Sequence, residues 1–333
     1  MHDQQYNSRL AWKRTVKVFR RLKPAPTQAP CALTIGNFDG VHRGHQALLQ
    51  QLVEGARARH LSPCVLTFEP HPREFFSPHD APPRIQNLRD KLMALRQCAI
   101  DTIAIEEFNQ AFSKLSPSEF VQNILIEKLN TKWILIGDDF CYGAKRAGNF
   151  DSLVVAGKQF GFEVSRISSV LETTERISSS LLRQALEQGD MKRAQQLLGR
   201  PFSISGHVLY GKQLGRTLGF PTLNLAVCTR HPNTKPVTSG IFVSQVHGLG
   251  EKPLPAVSSL GVRPSVESTG QVLLETHVFD FNQSVYGQVV CVELLARLHE
   301  ERKYPNLITL QAAIQDDAQK ARQYFLKKNS YVW

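Results

Sequence analysis

No stretch of this 333-residue chain approaches the roughly 20 apolar residues that a membrane-spanning helix needs, so no bilayer span is expected. The opening MHDQQYNSRLAWKR carries charge but no apolar segment of the secretory kind. Six cysteines, Cys31, Cys64, Cys98, Cys141, Cys228 and Cys291, include no CxxC pair, and none has zinc-ligand spacing with a histidine. Scattered cysteines with apolar flanks suggest ordinary core residues in a reducing compartment, so a cytoplasmic protein is expected. There is no internal repeat and no run of Lys or Arg. The formal net charge is nevertheless +11. That charge fits a nucleic-acid partner, a site for phosphorylated small molecules or a generally basic surface, and composition alone leaves all three open. Hydrophobic content of 42% against 21% charged residues implies a packed core, and the length allows one large or two ordinary domains.

What the chain does have is two successive grammars. Residues 1–15 are polar and irregular and read as a poorly ordered extension. From Cys31, buried-strand runs alternate with helical spacing: CALTIG (31–36), a helix from about His42 to His60, SPCVLTFE (62–69), a helix over 87–98 and DTIAIE (101–106). SPSEFVQNILIEKL (116–129), KWILIG (132–137), FDSLVVAGKQFG (150–161) and FEVSRIS (162–168) continue the alternation. Such alternation predicts a parallel sheet with helices on both faces, which binds ligands at the carboxyl ends of its strands. Two short helices follow, over 178–189 and 190–199. From Arg200 to about His299, short alternating runs with Gly, Pro and Asn between them predict a small antiparallel barrel or sandwich. NLITLQAAIQDDAQKARQYFLKK (306–328) has helical spacing and should pack on it. The expected organisation is an α/β domain over 16–199, a β-barrel domain with a C-terminal helix over 200–328, and a tail over 329–333.

GNFDGVHRGHQALL (36–49) lies at the carboxyl end of the first strand. A helix N-terminus offers unpaired N–H groups and a positive dipole end, which favour phosphate. Gly36, Gly40 and Gly44 would let backbone approach a ligand closely. His42 and His45 can both point at one anion, donating hydrogen bonds and carrying charge as pyrophosphate builds up negative charge. A turn with two exposed histidines is the plain alternative. Two further segments favour phosphate: ERISSSLLRQAL (175–186), with Arg176, three serines and Arg183 at a helix start, and GDDFCYGAKRAG (137–148), with Asp138, Asp139 and Arg146 after a buried strand. In the second half, GKQLGRTLGFPTLNL (211–225) marks a loop by Gly211, Gly215 and Gly219. If the backbone is extended there, Thr222 and Asn224 project to one side, where two neutral oxygens suit a magnesium ion. An ordinary polar strand face is the alternative. Glu275, in LLETHVFDF (273–281), is either a carboxylate with a role or an edge-facing glutamate in solvent.

GNFDGVHRGHQALL, LTFEPHPREFF, IGDDFCYGAKRAG and RISSSLLRQAL resemble, in order, the motifs of the nucleotidylyltransferase half of the bacterial bifunctional riboflavin kinase/FMN adenylyltransferases, also called FAD synthetases. GRTLGFPTLN resembles the signature of their kinase half. The resemblance covers about residues 16–328 and implies a Rossmann-like nucleotidylyltransferase domain followed by a riboflavin kinase barrel. It implies that His42 and His45 steady the ATP phosphates, with Gly36, Asn37, Phe38, Asp39, Arg176, Ser179, Ser180 and Arg183 on the nucleotide side. His71 and Pro72 of the PHP turn, and Asp139, would lie near the flavin or its phosphate. In the kinase half it implies Gly211, Lys212, Gly215, Arg216, Gly219 and Pro221 for ATP or flavin, Thr222 and Asn224 for Mg2+, and Glu275 as catalytic base. The sequence departs from the family pattern at Leu223 (usually alanine), Ser265 (usually threonine) and His299 (usually arginine). Leu223 should face away from Thr222 and Asn224.

The implied chemistry takes riboflavin to FMN with ATP and then FMN to FAD with release of pyrophosphate. The partners are then small molecules, with no nucleic acid and no membrane, and the protein is expected to be a monomer or weak oligomer. A single-activity enzyme that keeps one half as a binding module is a second reading, and Glu275, Thr222, Asn224 and both histidines speak against it. A nucleic-acid-binding protein is a third. It calls for clustered basic residues interleaved with aromatics, which the sequence lacks.

Overall fold

The computed structural model describes residues 16–20, 29–137, 139–167, 177–211, 215, 218–227, 236–262 and 272–330. The 1–15 extension, Asp138, Arg176, Lys212, Arg216, Ser265 and 331–333 lie outside the described residues. The chain forms two compact units. The first takes in Met1–Phe38, Gly44–Pro82 and Leu92–Thr174, the second Asp39–Arg43, Pro83–Lys91 and Glu175–Trp333.

In the first unit, β1 (Lys17–Arg20), β2 (Cys31–Ile35), β3 (Ser62–Glu69), β4 (Thr102–Glu107), β5 (Thr131–Ile136) and β6 (Glu163–Arg166) form one parallel sheet in the order β1-β4-β3-β2-β5-β6. Parallel strands covered on both faces are buried without alternation, as CALTI and the four inner residues of TIAIEE are. Helix α1 (Arg43–Ala58) buries Leu49, Leu52, Val53 and Ala56, the stripe of an amphipathic helix. The connections further along carry α2 (Pro72–Phe76), α3 (Leu88–Gln97), α4 (Gln110–Ser113), α5 (Pro117–Glu119) and α6 (Phe150–Phe160). At α5 the Ser116 hydroxyl accepts the Glu119 N–H and the Glu119 carboxylate accepts the Ser116 N–H, a reciprocal cap that the Ser-Pro-x-Glu sequence announces. The helix expected over 116–129 then continues as a π-helix over Phe120–Lys128. Strand β1 was not expected. It is a four-residue edge strand, exposed at all but Phe19, with no apolar run to mark it. Because β2 pairs with β3 on one side and β5 on the other, the strand order reverses there, and sheets of this kind bind ligands outside the carboxyl ends at that point. β2 leads into Gly36 and β5 into Gly137.

The second unit is built on β7 (Phe202–His207), β8 (Leu223–Ala226), β9 (Gly240–His247), β10 (Leu254–Val262), β11 (Val272–Val278) and β12 (Val289–His299). All are paired antiparallel in the order β7-β12-β9-β10-β11-β8. A bridge between Leu209 and Asn224, with the Leu209 N–H donating to Asn224 O at 2.9 Å, joins the two ends and closes the sheet into a barrel. Ile204, Leu225, Phe242, Leu260, Leu274 and Val292 belong to its buried core. Helices α7 (Ser179–Glu187) and α8 (Met191–Leu198) add Leu182, Leu186, Met191 and Leu198 to the same cluster. Helix α9 (Leu307–Ser330) packs Ala318 and Ala321 on Val243, Val257 and Phe279 of the barrel, and Arg322 forks onto both carboxylate oxygens of Asp280. An α/β Rossmann-like parallel sheet and an antiparallel barrel with a C-terminal helix are thus both present.

Asp90, in the first turn of α3, ties the Pro83–Lys91 segment to the barrel. Its carboxylate accepts the Ser205 N–H at 3.1 Å and the Ser205 hydroxyl, while the Asn87 amide donates to Ser205 O at 2.9 Å. Burial raises the Asp90 carboxyl from 3.8 to about 6, the Ser205 hydrogen bonds offsetting part of the effect. The folded protein therefore holds this proton more tightly than the unfolded chain. The stabilisation is complete below pH 3.8 and is lost as the pH rises through about 6. Asp90→Asn keeps an acceptor for Ser205 and is expected to flatten that slope, raising stability near neutral pH by on the order of 2 kcal/mol. Urea unfolding across the acid-to-neutral range checks this, and identical slopes in the two proteins would remove Asp90 as the cause.

Candidate active sites

The turn after β2 is strained. Phe38, Gly40 and Val41 have φ of 49°, 92° and 41°, and a β-branched residue such as Val41 adopts positive φ only where its surroundings impose it. The restraints are visible. The buried Asp39 carboxylate accepts the backbone N–H groups of Ile85 (3.1 Å) and Gln86 (3.2 Å) and is paired with Arg183 at 2.6 Å. The Ser179 hydroxyl donates to Asp39 O at 3.0 Å. The Arg200 guanidinium donates to Gly40 O and Val41 O. In the first unit the buried Phe38 ring lies 5.1 Å from the His45 ring, and the Thr67 hydroxyl donates to Asn37 O. Phe38 also lies close against Gly36.

His42 is 5% exposed. Burial lowers its pKa from 6.5 to about 4; the Asp39 carboxylate opposes this, and the Arg183 and Arg200 cations reinforce it. Near neutral pH, with no ligand bound, it is therefore a neutral imidazole with one N–H to donate. His45 sits in the first turn of α1, half-buried. At α7 the serines divide their work. Ser178 caps the helix by accepting the Leu181 N–H, Ser179 is tied to Asp39, and Ser180 is exposed. Sequence pattern presented Asp39 and Arg183 as separate phosphate-side residues, whereas here they are held against each other.

On the first unit's flavin-side candidates, His71 is the N-cap of α2. Its Nδ1 accepts the Arg73 N–H at 3.1 Å, and Pro72 opens the helix. Asp139 is exposed, with one oxygen close over Gly137 beyond β5. Sequence analysis missed an aromatic cluster here. Phe108 has ring neighbours Phe68, Phe75, Phe76 and Phe112 at 5.5–5.8 Å, and Phe76 is 64% exposed. The available signal was the density of phenylalanine in PREFF (72–76) and EEFNQAF (106–112).

In the barrel, Asn224 lies opposite Glu275, which lies opposite Ser259, so the three share one face of the sheet. Asn224 is buried, and its Oδ1 has no hydrogen-bond partner among the described residues. Gly211 sits so close that a methyl group there would overlap the Asn224 amide nitrogen. A cavity of about 420 Å³ is lined by Thr222, Glu275, Glu301, Tyr304, Leu310 and Asp317 among others, under α9, and Gly215 also borders it. A second, of about 200 Å³, is lined by Pro221, Thr222, Asn224, Phe281 and Tyr286 among others. Thr222 lines both. The Glu301 carboxyl is raised, first by burial and then by the negative charge of Glu275. Gly219 is exposed at φ 85° beside this loop. Among the described residues no group of three or more His, Cys, Asp or Glu is arranged to hold a metal ion.

A family model described as FAD synthetase matches residues 25–181, and one described as riboflavin kinase matches residues 198–325. The bifunctional riboflavin kinase/FMN adenylyltransferase of Escherichia coli (strain K12) is 42% identical over 310 residues, covering 93% of this chain and 97% of that protein. The chain belongs to the bifunctional riboflavin kinase/FMN adenylyltransferase family. It is a transferase with two activities, riboflavin to FMN and FMN to FAD. The Haemophilus influenzae and Pseudomonas fluorescens members are 40% and 41% identical, each over 89% of this chain and 94% of their own. A solved structure titled as a macrolide-efflux protein from Streptococcus pneumoniae is 28% identical, with a TM-score of 0.75 over 92% of this chain and 99% of its own. Among the described residues no helix is long and apolar enough to cross a membrane.

Two departures from the family pattern can be placed. Leu223 packs against the barrel core, as its alternation with Thr222 and Asn224 requires, and also borders the smaller cavity. His299 lies between two acceptors, the Glu300 carbonyl at 2.7 Å and the Asp317 carboxylate at 2.8 Å, joining β12 to α9. A methyl group at Gly40 would stand 2.9 Å from Leu182 Cδ2 and 3.2 Å from Ile85 Cγ2, at a φ that alanine avoids. Gly40→Ala is expected to lower stability by about 1–3 kcal/mol in thermal unfolding. Gly250→Ala, with no atom within 4 Å, serves as the neutral comparison.

Proposed function

We propose that the Gly36–His45 turn carries adenylyl transfer and that the two barrel cavities carry riboflavin phosphorylation, meeting at Thr222. The observation that carries the kinase assignment is the buried Asn224 Oδ1, lacking a partner among the described residues and set opposite Glu275 where both cavities converge on Thr222. The larger cavity is of a size suited to a flavin, and the smaller to part of a nucleotide. Glu275 takes the proton of the ribityl 5′-hydroxyl as that oxygen bonds to the γ-phosphorus. The bond from the γ-phosphorus to the β,γ-bridging oxygen breaks and ADP leaves. A hydroxyl needs such a base. Glu301, in the same cavity, adds a second carboxyl whose ionisation Glu275 opposes.

Thr222 and Asn224 fit a magnesium ion, because neutral oxygens suffice where ATP phosphates and water complete the shell. When bound, Mg2+ would offset charge on the transferring phosphoryl oxygens. Gly211, Gly215, Gly219 and Pro221 shape the loop around that position, and Lys212 and Arg216 are assigned to phosphate by the family resemblance.

For adenylyl transfer, the FMN phosphate is already an anion and needs no base. Its oxygen bonds to the α-phosphorus of ATP, the bond to the α,β-bridging oxygen breaks, and pyrophosphate leaves. His42, His45, Asn37 and the N–H groups at the start of α1 hold the phosphates, with Ser180 adding a contact, and Arg176 is assigned to phosphate by the family resemblance. Asp39, Arg183 and Ser179 keep the turn in shape. In the first unit the Phe68–Phe76–Phe108 group offers a stacking surface for the isoalloxazine. His71 and Pro72 set α2 beside it, and Asp139 lies on the flavin side. In this reading the protein acts on small molecules in the cytoplasm, as a monomer or weak oligomer, without nucleic-acid or membrane partners.

Chromatography of flavins during incubation with riboflavin, ATP and Mg2+ tests the division. His42→Ala is expected to stop FAD formation while FMN still accumulates. Glu275→Gln is expected to stop riboflavin phosphorylation while supplied FMN still becomes FAD. Loss of both activities in either folded variant would break the two-site assignment. Asn224→Ala is expected to raise the Mg2+ concentration for half-maximal phosphorylation by at least about tenfold. An unchanged Mg2+ requirement would remove Asn224 as a ligand.

A further inference from the structure

Arg200 follows the left-handed Gly199 that ends α8 and precedes β7, and no motif marks it. Its guanidinium donates at 2.8 Å to Gly40 O, at 3.2 Å to Val41 O and at 3.2 Å to Leu198 O. Gly40 and Val41 are residues of the strained turn, at φ 92° and 41°, and His42 is the next residue in the chain. A planar fork can hold both carbonyls while keeping its hold on Leu198, whereas an ammonium, being a point donor on a flexible stem, cannot reproduce that set. Asp39 and Arg183 anchor the turn on its carboxylate side, and Arg200 anchors its carbonyl side. The Arg200 charge also acts on the His42 ring, where it helps keep the imidazole neutral.

We propose that Arg200 is a positioning residue for adenylyl transfer: its guanidinium holds the Gly40–Val41 backbone in the left-handed turn that aims His42. The proposal rests on the reading of His42 as a phosphate-holding group. It gives a residue at the start of the kinase-matching segment a task in the other reaction.

The test uses the full chain with Arg200→Met, Arg200→Lys, His42→Ala and the Arg200→Met/His42→Ala double variant. Each is assayed for FMN adenylylation and for riboflavin phosphorylation, the second activity reporting that the barrel is folded. Arg200→Met is expected to lower kcat for FAD formation by about 10–100-fold, with KM for ATP within about threefold of the parent. Arg200→Lys is expected to recover only part of that loss. On the residual FAD formation of His42→Ala, followed at high enzyme concentration and long incubation, Arg200→Met should cost less than about threefold more, since a residue that acts through His42 has nothing left to aim. A loss that multiplies fully with that of His42→Ala would overturn the proposal, as would FAD formation by Arg200→Met within about twofold of the parent. If Arg200→Met loses both activities by misfolding, Arg200→Lys decides: reduced kcat with phosphorylation intact supports the proposal, and parental kcat overturns it. Normal FAD formation by His42→Ala would instead overturn the reading beneath the proposal, and the proposal with it.

Discussion

The ion pair between Asp39 and Arg183 is the constraint on which the Phe38–Val41 turn, the proposed adenylyl-transfer site, depends. The carboxylate is buried, and a buried carboxylate is tolerated only when its charge and lone pairs are met. Here they are met by a guanidinium at 2.6 Å and by the N–H groups of Ile85 and Gln86. Those contacts fix where the Asp39 backbone runs, and the neighbouring residues then take up left-handed conformations that they would otherwise leave. The chain thus keeps three positive φ values among the four residues Phe38–Val41, immediately before two histidines. Preorganisation of this kind suits a reaction in which the protein holds charged groups in place and supplies no base.

The proposed kinase site solves a different problem by different means. A hydroxyl nucleophile calls for a carboxylate, and the barrel sets Glu275 opposite Asn224 through strand register alone. Because directly opposed residues share a face, the closed antiparallel sheet brings Glu275, Asn224 and Ser259 together without any loop having to fold over them. The second unit therefore positions its groups through two distinct physical devices: strained backbone pinned by ions at the Asp39–Arg43 turn, and ladder geometry in the barrel.

Much of this was legible locally. Unbroken apolar runs such as CALTI required burial on both faces, and Ser116-Pro117-x-Glu119 announced a capped helix start. The alternation of Thr222, Leu223 and Asn224 turned Leu223 away from its two neighbours, and Leu223 packs against the barrel core while also bordering the smaller cavity. What was not legible depended on partners distant in sequence. Asp39 and Arg183 are 144 residues apart, and nothing local to either segment joins them. Arg200 reaches back 160 residues to Gly40 and carries no local signature. The edge strand Lys17–Arg20 has too little apolar content to stand out from the polar residues before it.

The second unit is assembled from pieces that leave the ribosome at very different times. Asp39–Arg43 and Pro83–Lys91 belong to it, yet most of it begins at Glu175. At about 5–20 residues per second, the Gly40 carbonyl waits roughly 8–32 s for Arg200 to be synthesised. Until then the turn lacks the cations that hold it, and left-handed Val41 has no reason to persist. In order of synthesis, the turn before His42 gains its cations only after all six strands of the parallel sheet have been made.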